Sequence, residues 1–528
     1  MIHGFRSGML GIDPPRKVAK VLRALDALGP IGGALAVAAT RHGDHTGLID
    51  ERGSLTFAEL DARSDALASA LRARGVREGE TIGILCRNHR GFLDITFAAA
   101  KGGARALYLN TDFAGPQLRD VCAREGVSLL VHDEEYNELV APIETRHRTL
   151  LGWTEGPPGE DTLEAVMAEH AGRAVPLPAR VPQVVLLTSG TTGTPKGAPR
   201  HSGATLSPMG AILSKVPFRA RESTYVAAPM FHALGFTEMV VTVSLGSAVV
   251  VRRRFDPELV LTDIAERRCT GLIVVPVMLR RMIDAIESSP GRFDTSSLRI
   301  VLLSGAQLEA ELARRAMRAL GDVLYNFYGS TEVAWATFAT PEDLRAAPGT
   351  AGRPPFGTFV KLFDHDGAPV KGPGRTGRIF VGNGFQFEGY TGGGGKDMID
   401  GLMSTGDVGH FDDAGRLFID GRDDDMIISG GENVFPGEIE ELLITHEGIE
   451  EASVIGVEDP EWGWRLVAFV ALRPGCELTD DEVRDFVKAN LARYKVPREV
   501  HFVDELPRNP TGKVLKRELR ARLAGVGG

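Results

Sequence analysis

Cysteine is scarce, with four in 528 residues at positions 86, 122, 269 and 476 and no Cys-x-x-Cys pair. Such spacing supports neither a zinc site nor a disulfide framework, and a reducing, cytoplasmic setting is the simplest expectation. No run reaches the roughly 18 unbroken apolar residues of a membrane span. The nearest, 239–251, is broken by Thr242, Ser244, Gly246 and Ser247 and reads as a buried helix end followed by a strand. The apolar stretch 31–39 is short, glycine-broken and too far from the start for a signal peptide. Positive charge is in deficit too. A formal charge of −10 and a pI near 5.8 argue against a nucleic-acid partner held by a broad basic face. Any anionic ligand must therefore be held by local groups. Fixed repeats are absent, which removes a solenoid.

What remains is a globular balance of 43% apolar and 25% charged residues, long enough for roughly two to four domains. After residue 45, apolar runs alternate with longer amphipathic stretches. Strands are expected at 81–86, 128–131, 184–188, 224–228, 247–251, 272–275, 300–303 and 323–327, with helices at 91–101, 279–286 and 307–320. Several of these strands are apolar throughout, as in parallel sheets covered on both faces. Residues 341–400 are rich in Pro and Gly and read as a small barrel-like unit with strands at 360–363 and 377–381. Asp412-Asp413-Ala414-Gly415 joins a hairpin of 408–411 and 417–419. Beyond it lies a compact α+β pattern, so the expected division is a large α/β domain, 1–423, and a small mobile domain, 424–528. Near the N-terminus, Val18, Val21, Leu22, Leu25 and Leu28 fall at helical spacing opposite Arg16, Lys17, Lys20 and Arg23. That pattern fits an ordinary docked helix, and alternatively a membrane-surface contact through residues 16–39.

Three small-residue or polar clusters follow predicted strands directly, where open parallel sheets bind ligands. Thr188-Ser189-Gly190-Thr191-Thr192-Gly193-Thr194-Pro195-Lys196-Gly197 offers close-approaching backbone N–H groups, hydroxyls and a cation to phosphate. It is not a Walker loop, because Pro195 precedes the lysine and Gly197 follows it. Taken alone it also fits a flexible surface loop. Gly305, Ala306 and Gln307 form a strand-to-helix turn that would let a flat ligand lie on backbone. In Tyr328-Gly329-Ser330-Thr331-Glu332, the tyrosine suits a base, the threonine a phosphate or metal, and the glutamate Mg²⁺. Further on, Ser404-Thr405-Gly406-Asp407 presents a carboxylate on a tight turn, suited to ribose hydroxyls and equally to turn capping. Lys513 closes the restrained loop Pro507-Arg508-Asn509-Pro510-Thr511-Gly512. Together these parts call for a nucleotide.

These segments, in this order, closely resemble the adenylate-forming superfamily of acyl-CoA synthetases, luciferases and peptide-synthetase adenylation domains. The block from Gly421 to Glu440, with Ile428-Ser429-Gly430-Gly431-Glu432-Asn433 inside it, is most like fatty- and aryl-acyl-CoA synthetases. Leu55-Thr56-Phe57-Ala58-Glu59-Leu60 extends the likeness toward the N-terminus. The resemblance implies attack of a carboxylate on Mg·ATP to give acyl-AMP and pyrophosphate, rotation of the C-terminal domain, and transfer of the acyl group to CoA. It implies Lys513 at the α-phosphate; Thr331 and Glu332 at phosphate and Mg²⁺; Gly305, Ala306, Gln307 and Tyr328 at adenine; and Asp407 and Arg422 at ribose. Asp424 would be the hinge, Gly430 and Gly431 would line the pantetheine passage, and His232 would sit beside the acyl pocket. Trp464, where relatives often carry Glu, departs from the pattern on the CoA side, and Leu402-Met403 lacks the tryptophan common before Thr405-Gly406-Asp407.

The expected activity is an ATP-dependent acyl-CoA synthetase acting on a medium- or long-chain fatty acid, the apolar tunnel being suggested by Ala233, Gly235 and Gly329. An acyl-AMP ligase feeding a carrier-protein phosphopantetheine and a catalytically dead nucleotide-binding scaffold are the alternatives. A homodimer is compatible with this reading.

Overall fold

The computed structural model describes residues 2–11, 13–188, 196–199, 207–387, 389–391, 393, 395–423, 427–429, 432–434, 436–459, 463–509 and 512–526. Two large sheets carry the N-terminal part. One runs, edge to edge, Ala334–Ala339, Leu324–Ser330, Ile300–Leu303, Gly271–Val274, Ser223–Val226, Ala248–Val250, Thr46–Asp50, Gly53–Thr56. The other runs Leu150–Trp153, Val127–Asp133, Thr81–Leu85, Arg105–Tyr108, Val184–Thr188, Lys196–Pro199. Neighbours are parallel in the interior of both sheets, and antiparallel pairs occur only at edges, Gly53–Thr56 and Ala334–Ala339 in the first and Lys196–Pro199 in the second. The buried pattern of Thr81–Leu85, Gly271–Val274 and Ile300–Leu303 is the physical counterpart of their unbroken apolar sequence.

Helices fill the space between the sheets. Phe57–Ala73 starts on a capping box in which the Thr56 hydroxyl accepts the Glu59 N–H at 3.2 Å while the Thr56 N–H donates to Glu59 Oε2 at 2.7 Å. Tyr108, at the end of its strand, packs on Phe92 and Phe236 with centroids 5.2 and 4.7 Å away, so one core spans both sheets. Asn88 sews the strand ends together. Its amide donates to the carbonyls of Val226 and Ala228 at 3.2 and 3.0 Å and its Oδ1 accepts the Met230 N–H at 2.8 Å.

A third, antiparallel sheet of Phe359–Phe363, Gly377–Gly382, Leu402–Phe411, Met398–Ile399 and Leu417–Arg422 stands where a small barrel-like unit is expected. It corrects one reading. Ser404–Asp407 is not a tight turn but the interior of strand Leu402–Phe411, with Gly406 at φ +82° giving the local distortion that resembles a turn in sequence. The C-terminal part is a three-stranded sheet (Ile449–Asp459, Gly463–Leu472, Glu499–Phe502) covered by helices including Pro436–Ile444 and Asp480–Asn490 around Val454, Leu466 and Val470.

At the N-terminus the two apolar stretches form two helical segments within Pro15–His42, which meet at Gly29, where φ is a non-helical +68° and Pro30 follows. By length and composition Pro15–His42 alone among the described residues passes as a membrane span, but Gly32, Gly33, Ala34, Leu35 and Ala38 are buried in the protein. Cys86, His89 and Asp133 form a buried cluster with ligand atoms within 4.8 Å of one another. Both imidazole nitrogens of His89 are engaged, Nδ1 accepting the Gly91 N–H at 3.0 Å and Nε2 facing Asp133 Oδ1 at 2.7 Å, so the cluster is a helix cap tied to a strand end.

Candidate active site

The site gathers beyond the carboxyl ends of the first sheet and beside the antiparallel one. Strand Leu324–Ser330 delivers Tyr328 and then turns, because the Ser330 hydroxyl accepts the N–H groups of Glu332 and Val333, each at 3.3 Å. That turn buries Glu332. The Tyr390 hydroxyl donates to Glu332 Oε1 at 2.7 Å, and Lys196 Nζ stands 5.3 Å from the centroid of the same tyrosine ring. Strand Lys196–Pro199 is fixed there by Thr391, whose Oγ1 accepts the Gly197 N–H at 3.0 Å and donates to Glu125 Oε1 at 2.6 Å. Thr188 faces Lys196 across the strand pair.

Asp407 lies opposite Arg422 in the antiparallel sheet, with Arg422 Nη1 3.4 Å from Oδ1, and the Tyr328 hydroxyl donates to Oδ2 at 2.6 Å. Burial lifts this carboxyl above its ordinary range against the opposing pull of Arg422, Tyr328, Lys513 and Lys396. Lys513 therefore reaches the site from the far end of the chain. Its loop is braced from within, Asn509 N–H donating to the Lys513 carbonyl at 2.9 Å and Arg508 Nη2 to Glu451 Oε1 at 2.6 Å. The loop also docks at the start of helix Pro276–Ser288, which follows strand Gly271–Val274, since a Cβ at Gly512 would lie 2.6 Å from Val277 Cγ1.

Lys196, Glu332 and Asp407 thus share one neighbourhood, joined by Tyr390 and by Arg422, whose charge acts on both Tyr390 and Asp407. Gly305, at φ +92°, Ala306 and Gln307 connect strand Ile300–Leu303 to helix Ala310–Leu320. The Gln307 amide donates at 2.6 Å to Glu441 Oε1 on helix Pro436–Ile444 of the C-terminal part. Thr331 occupies the turn beside Glu332, half-buried. Ser189, Gly190, Thr191, Thr192, Gly193, Asp424, Gly430 and Gly431 lie outside the described residues.

His232 stands at the start of helix Ala233–Ser244 without capping it, and its Nε2 is buried with no hydrogen-bond partner. Burial holds its pKa down to about 4, which keeps the ring neutral. On the same helix Glu238 also leaves Oε2 buried and unpartnered. The tunnel expected from small residues is not built from the two glycines. A Cβ at Gly235 would lie 2.6 Å from the Ala228 carbonyl oxygen, and one at Gly329 would collide with the Ala334 carbonyl, so both make room for backbone.

The residues fit a magnesium nucleotide. Lys196, Lys396, Arg422 and Lys513 surround two carboxylates in a protein of net charge −10, a local concentration suited to a polyphosphate. Glu332 Oε2 takes no hydrogen bond among the described residues and is a hard oxygen of the kind Mg²⁺ prefers. Tyr390, Thr391, Lys396 and Glu441 are absent from the sequence-based set. Tyr390 and Thr391 adjoin a glycine run with no phosphate-loop spacing, so only their distant partners reveal them.

Known proteins share this sequence and fold over most of the chain. The AMP-binding enzyme family matches residues 35–391, and the AMP-binding enzyme C-terminal domain matches 438–513. A feruloyl-CoA synthase of Amycolatopsis sp is 36% identical over 500 residues, covering 93% of this chain and 98% of the relative. An indoleacetate–CoA ligase of Aromatoleum aromaticum is 35% identical over 484 residues, covering 89% and 93%. Among solved structures, the o-succinylbenzoate CoA synthetase of Bacillus subtilis, in complex with its acyl-adenylate intermediate, superposes with TM-score 0.81 at 28% identity, covering 92% of this chain and 97% of that one. The chain belongs to the AMP-binding enzyme family, the adenylate-forming superfamily, and is an enzyme of its AMP-forming CoA ligase class, for which ATP, Mg²⁺ and CoA are the expected substrates and cofactor.

Proposed function

We propose that the protein activates an aromatic or arylalkyl carboxylic acid as its acyl-AMP and passes the acyl group to CoA. The observation that carries the choice of acid is the likeness, over nine-tenths of the chain, to a synthase named for a ferulic acyl group. An indoleacetate ligase at nearly the same identity supports it. The medium- or long-chain fatty acid expected from sequence loses its physical argument, because Gly235 and Gly329 pack against backbone instead of opening a tunnel. The neutral His232, with an unused buried nitrogen, supplies a polar contact at the acyl end.

In the first step a carboxylate oxygen of the acid bonds to the α-phosphorus of ATP and the bond to pyrophosphate breaks. Lys513 offsets the negative charge that builds on the α-phosphate, and Lys196 holds the departing phosphates. Thr331 and Glu332 would hold the magnesium ion, which supplies charge neutralisation along the polyphosphate. Asp407 and Arg422 grip the ribose, and Gly305, Ala306, Gln307 and Tyr328 frame adenine. In the second step the cap, 424–528, turns about Asp424, and the CoA sulfur, entering past Gly430 and Gly431, bonds to the acyl carbon as AMP leaves.

A screen of CoA-dependent AMP release across hydroxycinnamates, benzoates, indoleacetate and fatty acids tests the reading. Aromatic acids should give the highest kcat/KM, and a preference for fatty acids overturns the substrate class. Accumulation of acyl-AMP in the presence of CoA would favour a carrier-protein acceptor. Lys513→Ala should lower acid-dependent pyrophosphate exchange by roughly 10²-fold or more. A wild type without exchange on any acid would point to the scaffold alternative.

A further inference from the structure

The break at Gly29 divides Pro15–His42 into a half committed to the core and an arm, residues 15–28, that packs on the protein through Ala24 and Leu28 and leaves its first turns exposed. Arm residues 15–20, 22 and 23 are exposed, including Arg16, Lys17, Lys20 and Arg23. Val18 and Leu22 are 40% and 60% exposed, although large aliphatics on a helix ordinarily turn inward. Val18, Leu22, the half-buried Leu25 and Gly29 follow one another at i, i+4, i+7 and i+11, the spacing of a single stripe. The stripe does not end at the helix. A Cβ at Gly29 would lie 2.8 Å from Val181 Cγ1, and Val181 and Leu177 are themselves 45% and 41% exposed. The apolar surface therefore runs from the arm onto the segment beneath it.

Charge frames this surface. Arg16, Lys20 and Arg23 share the opposite side of the arm at i, i+4 and i+7, Lys17 flanks them, and Arg180 is exposed beside Val181. Asp26 is the one acidic residue between 15 and 28. Four cations crowd the arm, and Arg180 adds a fifth at its base, in a protein whose net charge is −10. An apolar stripe with basic residues on the far side of the same helix matches a helix lying in a bilayer interface, its cations level with the headgroups. Crossing the bilayer is ruled out by the second half of the helix, which Leu35 and Ala38 anchor in the core at 0% exposure.

We propose that this arm, with Leu177 and Val181 at its base, docks the enzyme reversibly on a membrane surface rich in anionic phospholipid. The contact is separate from the nucleotide site and does not depend on which acid is activated.

The test is co-sedimentation of the full chain with vesicles of phosphatidylcholine mixed with phosphatidylglycerol, against phosphatidylcholine alone. Binding should be at least about tenfold stronger to the anionic vesicles and should weaken as salt is raised. The paired substitution Val18→Glu with Leu22→Glu, and separately Lys20→Glu with Arg23→Glu, should each cut it about tenfold. Pyrophosphate exchange and thermal midpoint should be unchanged in both, since none of these residues touches the site. No binding to anionic vesicles, equal binding to both lipids, or variants that bind as the wild type does would overturn the proposal. So would a wild-type dimer that the Val18→Glu, Leu22→Glu chain loses, because the stripe would then cover a second copy.

Discussion

Glu238 is 2% exposed on a helix whose other buried positions, Thr242 apart, are apolar or glycine, and its Oε2 finds no partner. Burial alone pushes its carboxyl up to about 8, so at neutral pH it is mostly protonated. A carboxyl whose folded pKa lies above its unfolded value near 4.5 stabilises the fold fully only below 4.5, and that contribution is lost as pH rises toward 8. Glu238→Gln keeps the shape and removes the ionisation. The variant should match the wild type in thermal midpoint only at or below the unfolded value near 4.5, and exceed it by a margin that grows as pH rises toward 8. A gap that stays constant across the range would mean that the wild-type carboxyl ionises normally. His232, six residues earlier, is also neutral through burial, so this helix faces its surroundings without charge.

At the scale of the element, the same helix depends on Gly235. A Cβ there would press into the carbonyl oxygens of Pro229 and Ala228, backbone that cannot rotate away as a side chain would. Gly235→Ala gains helix propensity and yet should destabilise by about 1–3 kcal/mol through that overlap, while raising KM for the acid as His232 is displaced. Equal stability and unchanged KM would show that the segment yields freely. Elements differ in how openly sequence declares them. Val184–Thr188 and Ile300–Leu303 have the bounds their apolar runs suggest, because strands buried on both faces need no alternation to be recognised. Leu402–Phe411 is longer than the expected strand 408–411 because Gly406 and Ser404 carry turn chemistry inside a strand, where φ +82° at the glycine distorts the ladder. The N-terminal span Pro15–His42 divides at Gly29-Pro30 in sequence and in structure alike, because local propensity breaks there. The site follows the same rule. Glu332, Asp407 and Lys196 stand in dense local motifs, whereas Tyr390 sits in no such motif and its meaning lies in a hydrogen bond to a residue 58 positions away.

Across the whole molecule, the contacts that hold the C-terminal part against the rest of the chain at the site include Gly512 on Val277, Gly437 against the Asp420 carbonyl and Glu441 on Gln307. The last is electrostatically opposed. Glu441 stands at the rim of the interface with solvent access, and the protein packed around it, then Glu309, Asp420, Glu440 and Glu438, push its carboxyl up to about 7. Four of these five acids have basic or imidazole neighbours, Arg280 for Glu309, His410 for Asp420, Lys516 for Glu440 and Lys495 for Glu438. Glu441 has only the Gln307 amide as a hydrogen-bond donor among the described residues. Because its pKa is raised in this pose, docking is favoured while Glu441 is protonated and weakens as pH climbs through about 7. This is the pose that brings Lys513 to Asp407, so pyrophosphate exchange in the wild type should fall relative to the thioester half-reaction as pH rises past neutrality. Glu441→Gln retains a carbonyl oxygen for the Gln307 amide and removes the charge. Its exchange rate should stay level over the same interval, with KM for ATP unchanged at slightly acid pH. If the two pH profiles coincide, Glu441 does not govern docking, and the hold of the cap on the nucleotide site rests on its uncharged contacts, the Gly512 loop and Gly437 among them.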